Sequence, residues 1–256
     1  MNTLTLNPGR LVALGRSELT LLVRNRAALT VALLMPLMMV FVLRSTLGDV
    51  DGDGAMALGE ATLTGGIGMV LILVVYMNLV SAYVARREEL VLKRLRTGEA
   101  GDLEILAGTA LPAAVLAVGQ ILVLALAGTA ALDAGMPRRP LLLTAAVLCG
   151  IVLLAGASAV TSSFTRNVES AGITTLPLFL VTALGSGLFV PADSLPDVLA
   201  SVCELLPLSG VMTLVRAGWT GGAQSGDLLT AGLTTLAWIM IPVFAVQKWF
   251  RWEPRR

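Results

Sequence analysis

The densest cluster of ionisable side chains in this chain lies between residues 85 and 104, where Arg86, Arg87, Glu88, Glu89, Lys93, Arg94, Arg96, Glu99, Asp102 and Glu104 fall close together. Glu88 and Glu89 lie four to six positions before Lys93 and Arg94, with Glu89 and Lys93 at the four-residue spacing at which opposite charges support a helix, while Leu92 and Leu95 share one helical face. The spacing predicts a short charged helix with a turn at Gly98, suited to docking another macromolecule. A reaction centre is not visible. Histidine is absent, which removes imidazole from acid–base and metal chemistry. Nothing matches the glycine-rich loop that cradles nucleotide phosphates, and the lysines are Lys93 and Lys248 alone. Ser158, Ser162 and Ser163 are the only hint of a nucleophile, and Cys149 and Cys203 form no disulfide framework. Asp49, Asp51, Asp53, Gly54 and Glu60 imitate the spacing of a calcium loop, yet that motif needs a helix on both sides in water. An acidic outer turn is the simpler reading. No metal is expected.

The elements that must hold the charged segment are apolar. Six stretches, near residues 27–43, 61–84, 105–128, 141–163, 170–190 and 228–246, have cores free of Asp, Glu, Lys and Arg, and each approaches the ~20 residues needed to cross a bilayer. Hydrophobic residues make up 56% and charged ones 14% of the 256 residues, so the chain reads as one all-α membrane domain over 1–256, without room for a separate soluble catalytic domain. Spans without buried carboxylates also argue against ion-coupled transport. A net charge of +1 gives no reason to expect nucleic acid as a partner.

Loop charge sets the expected orientation. If both termini are cytoplasmic, then of the 18 Lys and Arg only Arg44, Arg138, Arg139 and Arg216 fall outside, which is the bias that short loops of membrane proteins show. Residues 1–26, with Arg10, Arg16, Glu18, Arg24 and Arg26 among leucines, are neither a signal peptide nor a span. They read as an amphipathic helix in the headgroup layer, leading into a first span that Pro36 can kink. Residues 191–218, broken by Pro191, Pro196 and Pro207 and containing Glu204, suit a pair of short helices dipping into the outer leaflet. Small residues, including Ala155, Gly156, Ala157, Ser158 and Ala159 in the fourth span and Gly65, Gly66 and Gly68 in the second, suit close helix packing. Asn78, Tyr83, Gln120, Ser158 and Thr161 either hydrogen-bond between helices or line a path for cargo.

The charged loop resembles the inner loop of type-2 ATP-binding cassette (ABC) export permeases, in which Glu-x-Gly-Thr-Leu-Lys-Arg-Leu-Arg precedes the third span. Glu88, Leu92, Lys93, Arg94, Leu95, Arg96 and Thr97 carry the likeness, while Leu90 and Val91 stand where the family has Gly-Thr and Gly98 stands where it has proline at the turn. Leu206 to Gly218, with Pro207 and Arg216, resembles the family's Pro-Leu-Thr, apolar turn and Arg before the last span. The resemblance implies a bacterial cell-membrane permease, not itself an enzyme, whose ATP and Mg are bound by a separate ABC ATPase subunit in two copies. It further implies a second permease, simplest as a homodimer, with the path between the two. Coupling would fall to Glu88, Lys93, Arg94, Arg96, Glu99 and Asp102, helped by the leading helix. An outer gate would involve Pro207, Glu204 and Arg216; Glu204 would hydrate the vestibule, pair with Arg216, or simply face water with it. The apolar spans suit a hydrophobic or amphiphilic cargo such as a drug, antibiotic or lipid, and the Ala, Gly, Leu, Val and Arg richness suits a high-GC bacterium exporting a secondary metabolite. The rival reading is a polytopic membrane enzyme or scaffold acting on a lipidic substrate.

Overall fold

In the computed structural model the described residues are 53–97, 101–131, 135–186, 196–250 and 252, with a few isolated positions before them. Apart from those isolated positions, the leading segment 1–26 and the expected first span lie outside the described residues, as do Asp49 and Asp51. Among the described residues every regular element is helical. Five helices are long and apolar enough to cross a membrane: Gly59–Glu88, Asp102–Ala131, Pro140–Phe164, Val168–Gly185 and Ser225–Trp249. Each coincides with a stretch expected from hydropathy.

The first of these is one rod with three windings. Helix α1, Asp53–Val70, passes into a π-wound stretch, Leu71–Met77, and then into α2, Asn78–Glu88. The acidic turn expected to run through Glu60 is helical from Asp53 onward, since α1 already starts there. Next come the short α3, Val91–Thr97, and the long α4, Asp102–Ala131. Asp102 and Glu104 in the first turn of α4 suit its positive end, and the Glu104 carboxylate accepts a hydrogen bond from the Gly101 N–H at 3.0 Å. Helix α5, Pro140–Phe164, starts with proline at its first position, where a missing N–H costs nothing. Helix α6, Val168–Gly185, starts on a capping box: Asn167 Oδ1 accepts from Ser170 N at 3.0 Å and Asn167 N donates to Ser170 Oγ at 3.2 Å. It stops at Gly185, short of the expected residue 190.

Two short helices follow, as the prolines predict: α7, Asp197–Glu204, and α8, Ser209–Thr220, ended by Gly221 in the left-handed conformation at φ +76°. The last is α9, Ser225–Trp249. Helix α8 is the centre of the packing at its end of the bundle. Val211, Met212, Val215 and Trp219 are fully buried, and the helix lies between α5 and α9. A Cβ on Gly218 would come within 2.8 Å of the Leu143 N, and one on Gly210 within 2.5 Å of the Ala231 O. These glycines let three backbones approach closely, which in lipid supplies the dispersion contacts that hold helices together. Gly156 does the same midway along α5, where a Cβ would lie 2.9 Å from the Cβ of Pro242 in α9. Gly65, in contrast, has nothing near it, so only some of the small residues read from the sequence serve packing.

Candidate coupling end and the opposite helical cap

The ends of α2, α5 and α9 and the starts of α4 and α6 meet at one end of the bundle. Tyr83, near the end of α2, donates to the Leu106 carbonyl of α4 at 3.0 Å and meets the Phe250 ring edge-on at 6.3 Å. Phe250 in turn packs edge-on against Trp252 at 4.8 Å. A cavity of about 300 Å³ opens here between the start of α4 and the end of α9, lined by Asp102, Leu103, Leu106, Val246, Lys248 and Trp252 among others.

The charged loop is not the single helix that its charge spacing suggested. Helix α2 runs on to Glu88, the chain turns at Glu89 and Leu90, and α3 starts afresh at Val91. Leu90 has φ +60°, the left-handed region where a Cβ is strained. Glycine, which stands here in the pattern the loop resembles, would adopt this conformation without that strain. The break also separates Glu88 and Glu89 from Lys93 and Arg94, so their spacing is no longer that of one continuous helix. Leu92 is buried and pins α3 to the bundle, Leu95 is half-buried, and Lys93, Arg94, Glu88 and Glu89 are exposed. Asp102 is half-buried at the start of α4; Glu99 lies outside the described residues, and for Arg96 only the backbone is described.

Beside this exposed face sits a residue that the charge pattern included but gave no role of its own. Arg87 is 1% exposed. Its guanidinium donates from Nη1 to the Ser162 carbonyl at 2.7 Å and from Nη2 to the Thr165 carbonyl at 2.5 Å, with a longer contact to the Arg166 carbonyl at 3.4 Å. Helical phase could have marked it, since Arg87 follows buried Tyr83 by four residues and buried Val84 by three.

Midway along the bundle, the π-wound stretch meets α5. The single Ser158 hydroxyl proton is shared between the Leu154 carbonyl of its own helix at 2.6 Å and the Tyr76 carbonyl at 3.1 Å, and the Tyr76 hydroxyl and Thr161 Oγ1 lie 3.1 Å apart. Ser162 and Ser163 both donate to the Ala159 carbonyl. The three serines are buried and serve helix packing, which leaves the nucleophile reading without support. Of the other polar residues in spans, Gln120 is buried whereas Asn78 is exposed.

At the opposite end, the backbone N–H groups of Arg138 and Arg139 donate to the Trp219 and Gly218 carbonyls at the end of α8. Ser209 donates to the Gly185 carbonyl at 3.0 Å, and Trp238 Nε1 of α9 donates to the Leu205 carbonyl at 2.8 Å. Of the expected gate residues, Pro207 is buried and Arg216 is half-buried, donating to the Ser186 carbonyl at 2.6 Å. Glu204 is exposed.

A family model described as ABC-2 type transporter matches residues 10–219. The chain belongs to that family. It is therefore a multi-pass ABC-2 permease, a membrane component that works with an ABC ATPase subunit. No curated protein matches the chain at a significant level. The matched range takes in the charged elbow and the α7–α8 cap, so both of this permease's candidate regions fall inside the part that defines the family.

Proposed function

We propose that this permease is the exporting subunit of an ABC transporter, moving a hydrophobic or amphiphilic compound outward while a separate ATPase pair, holding ATP and Mg, supplies the energy. Two copies of the chain enclose the path, both termini face the cytoplasm of a bacterial cell, and the α7–α8 pair re-enters from the outer side as a cap that includes Pro207, Glu204 and Arg216. A drug, antibiotic or lipid-like cargo fits the apolar spans, and efflux of such a compound would confer antibiotic resistance. The observation that carries the reading is the elbow after α2: a short helix that keeps Lys93 and Arg94 in solvent while Leu92 is buried in a bundle of spanning helices. A charged helix anchored in this way offers a partner a rigid handle, and the likeness of the loop to the family pattern assigns Glu88, Arg96, Glu99 and Asp102 to the same coupling role. The residues 1–26 add a second lever in the headgroup layer. The test is the double variant Arg94→Glu/Arg96→Glu, co-purified with the partner ATPase and placed in lipid vesicles loaded with a hydrophobic fluorescent dye. ATP hydrolysis is expected to persist while dye export stops; export equal to that of the unaltered complex refutes the assignment.

A further inference from the structure

Arg87 does something that a surface charge cannot. The last carbonyls of an α-helix have no partner within it. The guanidinium reaches from the end of α2 to the Ser162 carbonyl in the last turn of α5, the Thr165 carbonyl at its C-cap and the Arg166 carbonyl just beyond, and it does so from a buried position. A planar fork of donors fixes direction as well as distance, and its positive charge suits the negative end of α5. Three residues later, Leu90 turns the chain through a left-handed residue into α3. The joint after α2 therefore pairs a clamp on α5 with a bend that carries the charged helix. Beyond the clamp, α5 packs along α9 and α8, and its Leu143 backbone abuts Gly218 at the opposite cap.

We infer that Arg87 is a positioning residue that makes the ends of α2 and α5 one rigid piece, so that displacement of α3 by a partner reaches the α8 cap through α5. The inference rests on the coupling role proposed above. A merely structural arginine would stabilise the fold without affecting how far a displacement travels.

Two spin-label pairs separate these cases, with Cys149 and Cys203 replaced by serine. One pair, Glu89→Cys with Arg166→Cys, reads the clamp from two exposed positions; the other, Gly135→Cys with Gly222→Cys, reads the opposite end at positions with open space around them. Distances are measured on the full complex with its partner ATPase, nucleotide-free and trapped with ATP and vanadate. With Arg87 intact, the clamp distance should stay narrow and unchanged while the far pair shifts. Arg87→Ala should broaden the clamp distance and abolish the far shift although the partner still binds and hydrolyses ATP. Arg87→Lys, which keeps the charge but lacks the fork, should give an intermediate shift. A far shift in Arg87→Ala or Arg87→Lys equal to that of the unaltered permease overturns the inference while leaving the coupling role standing. So does failure of both variants to bind the partner, which makes Arg87 a folding determinant only. If the permease with Arg87 intact shows no far shift, the coupling role itself falls, and the inference with it.

Discussion

Alanine at Gly210 should leave the permease less stable than alanine at Gly232, although both glycines belong to helices of the same bundle. In a helix interior, glycine costs about 1 kcal/mol relative to alanine, a gain that applies in full to Gly232 inside α9 and less to Gly210 in the first turn of α8. The surroundings differ as well. A Cβ at Gly232 meets nothing within 4 Å, whereas one at Gly210 would lie 2.5 Å from the Ala231 O, 2.7 Å from the Thr235 Oγ1 and 3.2 Å from the Thr235 N. Two of those three atoms are backbone and cannot rotate away, so α8 must shift outward from α9. Overpacking of this kind costs roughly 1–3 kcal/mol, which cancels or exceeds the propensity gain. Gly232→Ala should therefore stabilise the permease, and Gly210→Ala should be less stable than it by about 1–3 kcal/mol. Thermal unfolding of the detergent-solubilised protein, followed by tryptophan fluorescence, measures the difference. Equal midpoints for the two variants would refute the close seating of α8 on α9.

Leu90→Gly should stabilise the elbow by about 1 kcal/mol, because the left-handed conformation of Leu90 carries a steric cost that glycine avoids, and its exposed side chain contributes little packing; denaturant unfolding reads this directly. The β-branched Leu90→Val should move stability the other way. Ser158→Ala removes the donor to the Tyr76 carbonyl and should cost about 0.6 kcal/mol, seen as a lowered unfolding midpoint, with Tyr76→Phe costing a similar amount through loss of the Thr161 contact. Arg216→Ala should lower the midpoint more than either, since the charge-assisted bond to the Ser186 carbonyl is worth about 1.5–3 kcal/mol, and limited proteolysis near residues 186–208 should quicken.

How much was legible in the sequence differs by element. All five described spans lie where uncharged apolar stretches of the right length occur, because partition into a bilayer depends mainly on each segment's own composition. The prolines and Glu204 marked 191–218 as too broken for a span, and α7 and α8 are indeed short. Small residues in the fourth span announced close packing, and Ala157, Ser158 and Ala159 are buried. The likeness of the charged loop to a family pattern pointed to a membership that a match over residues 10–219 bears out.

Other features depend on partners distant in the chain, which composition does not encode. Arg86 and Arg87 are alike as letters; only the approach of the end of α5 makes one a buried clamp and leaves the other half-exposed. Charge spacing favoured one helix through residue 90, yet Leu92 must reach the bundle while Lys93 and Arg94 stay in water, and a turn at Leu90 meets both demands. The π winding at Leu71–Met77 has no signature in its apolar letters, and it is seen only where Tyr76 meets Ser158 and Thr161 of α5. Gly65 and Gly210 are likewise the same residue, and what distinguishes them is whether another backbone stands beside the missing side chain. Hydropathy and length, which each segment carries alone, determined where the chain crosses. Contacts between segments, which exist only once the helices are assembled, decided which of its arginines, serines and glycines hold it together.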